Sequence, residues 1–108
     1  MAARVWNVFQ RGGGHPAKLA WALKEHLEDR GFRVERVART EWGYLIEVAG
    51  LSLSLADHPT EPGLLELRLE PKGRLRRLWL RPRLEQVAAA INAFLEEEAD
   101  LTLEGVGV

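Results

Sequence analysis

The sequence predicts an α+β fold: a predominantly antiparallel meander of five to six strands with two helices on one face, in the order β-α-β-β-β-β-β-α. Three observations carry this. Between Trp42 and Leu80, apolar and polar residues alternate through several short runs: Trp42, Tyr44, Ile46 and Val48, then Leu51, Leu53 and Leu55, then Leu65, Leu67 and Leu69. Successive side chains of a strand point to opposite faces, so these runs build a sheet with one buried and one wet side. Helical periodicity appears on either side of this stretch, and the parallel βα alternation of a doubly wound fold does not continue past the first helix.

The elements follow in order. Arg4–Gln10 (RVWNVFQ) is rich in β-formers and predicts a strand. Arg11-Gly12-Gly13-Gly14-His15 breaks the chain, and Pro16 suits the first position of a helix, where its missing N–H costs nothing. That helix should run to Arg30, with Gly31 as its stop. At about 100° per residue, Leu19, Ala20, Leu23 and Leu27 share one face, and Trp21 falls on the opposite side among charged residues. Phe32–Arg39 reads as a strand joined through Thr40 and Glu41 to the Trp42 strand. Gly50 marks a tight turn into Leu51–Ala56. Asp57–Gly63 holds two prolines and a glycine and is a loop, and Leu64–Glu70 is the next strand. Pro71-Lys72-Gly73 predicts a hairpin closure into a strand over Arg74–Leu80, in the register that buries Leu78 and Leu80, with a bulge at Arg76-Arg77. Pro82 opens the second helix, which runs to about Ala99 with an apolar stripe of Leu84, Val87, Ala88, Ile91, Phe94 and Leu95. The tail from Leu101 to Val108 either adds a short strand or frays, and its glycines favour fraying.

The 108 residues are expected to form a single domain, 1–108, with 46% hydrophobic and 29% charged residues, as in an ordinary soluble protein. The absence of cysteine excludes disulfides, thiolate zinc sites and cysteine nucleophiles. No apolar run approaches the roughly 20 residues needed to span a bilayer, and the start lacks a signal-peptide core, so the expected location is the cytoplasm. A net charge of −1 gives no global pull toward nucleic acid or membrane. Arginine outnumbers lysine twelve to three, a bias that fits a thermophilic or GC-rich source.

Four constellations bear on function. The first is the Gly-rich loop Arg11, Gly12, Gly13, Gly14 and His15, which stands before a helix with no Ser, Thr, Asp or Asn cap. Free N–H groups and the positive end of the helix dipole there attract anions. The loop matches neither a P-loop nor a dinucleotide fingerprint, and a mobile connector is its plainer reading. The second is the basic run Lys72, Arg74, Arg76, Arg77, Arg81 and Arg83 with Trp79 among them, which combines phosphate neutralisation with base stacking. A solvated edge strand whose charges discourage edge pairing explains the same residues. The third is a contact surface for another protein: Trp21 on a polar helix face, with Leu45, Leu75 and Trp79 on the outer sheet face. Catalysis is the weakest of the four. His15, His26 and His58 show no metal-ligand spacing, no motif asks for a cofactor, and Ser52 and Ser54 lie along a strand without the sharp turn that exposes a nucleophile beside Asp57-His58.

The helix–strands–helix order resembles the fold of secretion chaperones without their middle helix, and the opening strand–Gly loop–helix–strand is similar to a flavodoxin-type start. Both are similarities of order, carried by no motif, and imply no residue roles. The expected function is a small non-catalytic interaction module, self-associating as a homodimer through the outer sheet face. The alternative is an anion- or nucleic-acid-binding protein using Arg11–His15 or Arg74–Arg83.

Overall fold

Alternation becomes architecture through register. In the computed structural model, which describes residues 3–10, 16–61, 63–72, 81–97 and 101–107, the strands β1 (Arg4–Gln10), β2 (Val34–Arg39), β3 (Gly43–Val48), β4 (Leu51–Asp57), β5 (Leu64–Pro71) and β6 (Leu101–Gly107) form one sheet. Its spatial order is β2-β3-β4-β5-β1-β6, and every described pairing is antiparallel. Helix α1 (Pro16–Asp29) follows β1, and α2 (Arg81–Glu97) precedes β6. The α+β class, the β2–β5 meander and the two helices stand as the sequence predicts. The strand expected over Arg74–Leu80, with its register, lies outside the described residues.

Cross-strand rows explain the core. Ile46 faces Leu53 and Leu53 faces Leu69; in the neighbouring row Tyr44, Leu55, Leu67 and Trp6 stand side by side. Ile46, Leu53, Leu55, Leu67, Leu69 and Trp6 are essentially without solvent exposure. Burying each of these side chains is worth about 1.5–3 kcal/mol, so one row outweighs any surface ion pair in the molecule. Above them lie Leu19, Ala20, Leu23 and Leu27 of α1 and the whole expected stripe of α2, all buried. Both helices therefore cover one face, α1 over β2–β4 and α2 over β5 and β6.

Ala90 joins the α2 stripe, and His26 Nε2 lies 3.0 Å from its carbonyl oxygen. A carbonyl only accepts, so this nitrogen carries the proton, and the ring packs tilted against Phe94 at 5.2 Å. His26 is thus a fastener between the helices. Trp6 is buried whole, and its indole N–H donates to Asn92 Oδ1 at 2.7 Å, which satisfies the one polar atom the ring brings into the core.

Local chemistry sets the element ends. Helix α1 stops at Asp29, and Gly31 adopts φ 90°. Gly31 N–H donates to Glu28 O and Phe32 N–H to Leu27 O, the paired bonds of a Schellman cap. In β2 the pairing shifts between Val34 and Arg36, so that Val34 and Val37, three apart in sequence, both pack on the core. Ala49 and Gly50, with φ 54° and 81°, close the β3–β4 hairpin as a two-residue turn of the mirror-image type that suits twisted strands. The tail does not fray: Leu101–Gly107 pairs with β1, a bulge between Asn7 and Val8 absorbing the change of register. Among the described residues no helix is long and apolar enough to cross a membrane.

Two substitutions of opposite sign test this account. A Cβ at Gly43 would stand 1.9 Å from the Leu55 carbonyl oxygen, so Gly43→Ala should cost about 2–3 kcal/mol of unfolding free energy in a urea titration. Ala49 holds a left-handed conformation that L-alanine resists, so Ala49→Asn should raise stability by about 0.5–1 kcal/mol in the same assay.

Candidate functional site

The register that points the leucines inward points a different set outward. Ala38, Leu45, Ser54, Arg68 and Val5 form one cross-strand row on the outer face, and Arg36, Glu47, Ser52 and Glu70 form the next. Leu45 is half-buried between Ala38 and Ser54. Small side chains thus make a flat floor around one leucine, with acids and arginines about it. Lys72 Nζ sits 3.1 Å from Glu47 Oε2, and Arg68 lies 3.5 Å from Glu66. Among the described residues no element packs on this face, because both helices lie on the other.

Trp21 is 56% exposed, as its position on α1 predicts. Its surroundings are its own helix: the indole N–H donates to Glu25 Oε1 at 3.0 Å, and the Lys24 ammonium lies 4.4 Å from the ring centroid. Since α1 covers the inner face and Trp21 points away from the core, Trp21 and Leu45 stand on opposite sides of the molecule. One flat contact takes only one of them. Leu75 and Trp79 lie outside the described residues, as do Arg11, Gly12, Gly13, Gly14 and His15 of the Gly-rich loop and Arg74, Arg76 and Arg77 of the basic run. Arg81 and Arg83 are exposed on the first turn of α2. Glu85, two residues after Arg83, holds Arg4, whose Nη2 lies 2.6 and 2.8 Å from the two carboxylate oxygens.

Trp42 corrects the sequence reading. The alternation places it at the head of the inner series, but it is 74% exposed. Thr40 N–H donates to Gly43 O, and Gly43 N–H donates back to Thr40 Oγ1, so Glu41 and Trp42 become the hairpin loop and β3 begins one residue later. The signal was the Thr-x-x-Gly spacing, which closes a turn before the alternation starts. Among the described residues Phe9, at 41%, is also exposed on the sheet.

The residues weighed for catalysis are occupied otherwise. His58 Nδ1 accepts from Thr60 N–H and Glu61 N–H, which folds the loop after β4 back on itself. Ser52 and Ser54 stay on the flat outer face. Among the described residues no three His, Asp or Glu side chains gather as metal ligands would.

Among the described residues, open clefts lie at opposite ends of the sheet. The smaller, about 350 Å³, lies between the start of α1 and the Thr40–Gly43 hairpin and includes Trp42 and Tyr44. The larger, about 750 Å³, lies where the β3–β4 turn, the end of β5 and the start of α2 meet. The sequence reading grouped basic residues by proximity along the chain and so did not connect Arg33 with Lys72 and Arg83, which line this second cleft together.

Compared with known proteins, the chain matches no family model, and no curated protein resembles it in sequence. Neither exposed tryptophan seals the core, so Trp21→Ala and Trp42→Ala should each change the unfolding free energy by less than about 0.5 kcal/mol in denaturant titration.

Proposed function

We propose that this chain is a non-catalytic interaction module that pairs with a second copy of itself through the outer sheet face. One observation carries the reading: the sheet has unequal faces, one sealed by both helices and the other left as a flat mosaic around Leu45 without cover among the described residues. A two-fold contact brings each patch against its own image, so a patch must offer both members of every pair it makes. The mosaic does so. Arg36 and Arg68 can meet Glu70 and Glu66 of the other copy, and Leu45 can pack over the Ala38–Ser54 floor. A net charge of −1 leaves little repulsion between copies.

Trp21 lies on the opposite layer and stays out of this contact. The sheet face is favoured over the tryptophan because Trp21 already has a hydrogen bond and a cation on its own helix.

Sedimentation equilibrium at low micromolar concentration tests the proposal, with a dimer as the expected result. Leu45→Arg should yield a monomer with an unchanged circular dichroism spectrum, and Trp21→Ala should leave the dimer intact. A wild-type monomer would remove the proposal, and dissociation by Trp21→Ala alone would move the contact to the helix layer.

A further inference from the structure

Four connections converge at one end of the sheet: the α1–β2 link, the β3–β4 turn, the end of β5 and the first turn of α2. Between them lies the open cleft of about 750 Å³. It is lined by three cations from three separate parts of the chain, Arg33, Lys72 and Arg83. One acid, Glu35, lines the cleft as well, a second, Glu47, stands nearby, and both are engaged. Glu35 Oε1 accepts from Gly50 N–H at 3.0 Å, and Glu47 holds the Lys72 ammonium. Arg33 and Arg83 make no ion pair with a carboxylate among the described residues.

Two guanidinium groups facing one cleft repel each other, and an anion set between them turns that repulsion into attraction. Their planar donor forks match the oxygens of a phosphate, which they grip with paired hydrogen bonds. The first turn of α2 contains no acidic side chain, so the helix dipole adds to the same positive field. The frame is fixed by backbone bonds: Ala49 N–H donates to Arg33 O at 2.9 Å, and Lys72 N–H donates to Gly50 O at 3.1 Å. The cleft exceeds the needs of a lone phosphate and falls within the roughly 300–1,000 Å³ common for small-molecule sites. Gln86 offers an amide to the uncharged part of such a ligand, and Phe32 an aromatic wall.

From this geometry we infer that the cleft binds a phosphate-bearing small molecule, its phosphate held between Arg33 and Arg83, with Lys72 adding long-range attraction. Arg33 and Arg83 are not among the residues of the proposed dimer contact, and only the Lys72–Glu47 ion pair links the two surfaces.

Isothermal titration of the full chain with inorganic pyrophosphate is the test. Saturable one-to-one binding is expected. Arg33→Ala and Arg83→Ala should each weaken it by about tenfold or more, with circular dichroism reporting that each variant is folded. Arg39→Ala, which removes the same charge at the opposite end of the sheet, should leave the affinity unchanged. Absence of saturable binding at millimolar pyrophosphate overturns the inference, as does equal weakening by Arg39→Ala, which would mark a bulk charge effect. A single-stranded oligonucleotide that binds more tightly than pyrophosphate through the same two arginines overturns the small-molecule assignment and makes nucleic acid the ligand.

Discussion

Everything in this molecule depends on the period-two constraint that β3, β4 and β5 share. Leu51, Leu53 and Leu55 can be buried only if Ile46 and Val48 on one side and Leu67 and Leu69 on the other keep their register. Slipping one strand by a single residue would turn its leucines into water and its serines or glutamates into the core. The penalty is several buried leucines at once, far beyond what the surface ion pairs return. Both helices dock on the row pattern this register creates, and the outer mosaic is its other side. Core and candidate contact surface are fixed by one choice.

Much of the fold was legible because strong periodic signals coincide with turn chemistry. Leu84, Val87, Ala88, Ile91, Phe94 and Leu95 repeat at helical spacing and are all buried, and Gly31 ends α1 for the reason its backbone freedom suggests. The misreadings have local causes. Trp42 looked like a strand residue because an aromatic stood in phase with Tyr44, and the hydrogen bonds of Thr40 and Gly43 outweighed that phase. The glycines of the tail pointed to fraying, but a free lane of backbone donors and acceptors along β1 gave them partners. Asn92 lies off the apolar stripe of α2, where periodicity alone gives no sign that the buried Trp6 ring needs an acceptor at that point.

The candidate sites were less legible, since a surface is assembled from segments distant in sequence. Leu45 was found because alternation alone assigns a strand residue to a face. Its separation from Trp21 was not, because that depends on which side of the sheet the helices choose. The larger cleft was missed for a similar reason. Arg33 follows a helix cap, Lys72 follows a strand and Arg83 lies in the first turn of a helix, and only the sheet order brings those three places together.

The position of β1 has a consequence for how the chain assembles. This strand lies between β5 and β6, so its neighbours in space are far along the chain, while β2 to β5 pair each with the next. Nearby segments meet at small entropic cost and distant ones at greater cost, so the hairpins zip first and the first strand is threaded into place afterwards. During synthesis Val5, Trp6, Val8 and Phe9 emerge before β5 and stay apolar and unpaired until it has been made. The growing chain therefore passes through an interval in which an apolar strand stands without either of its partners, the kind of exposure that favours aggregation.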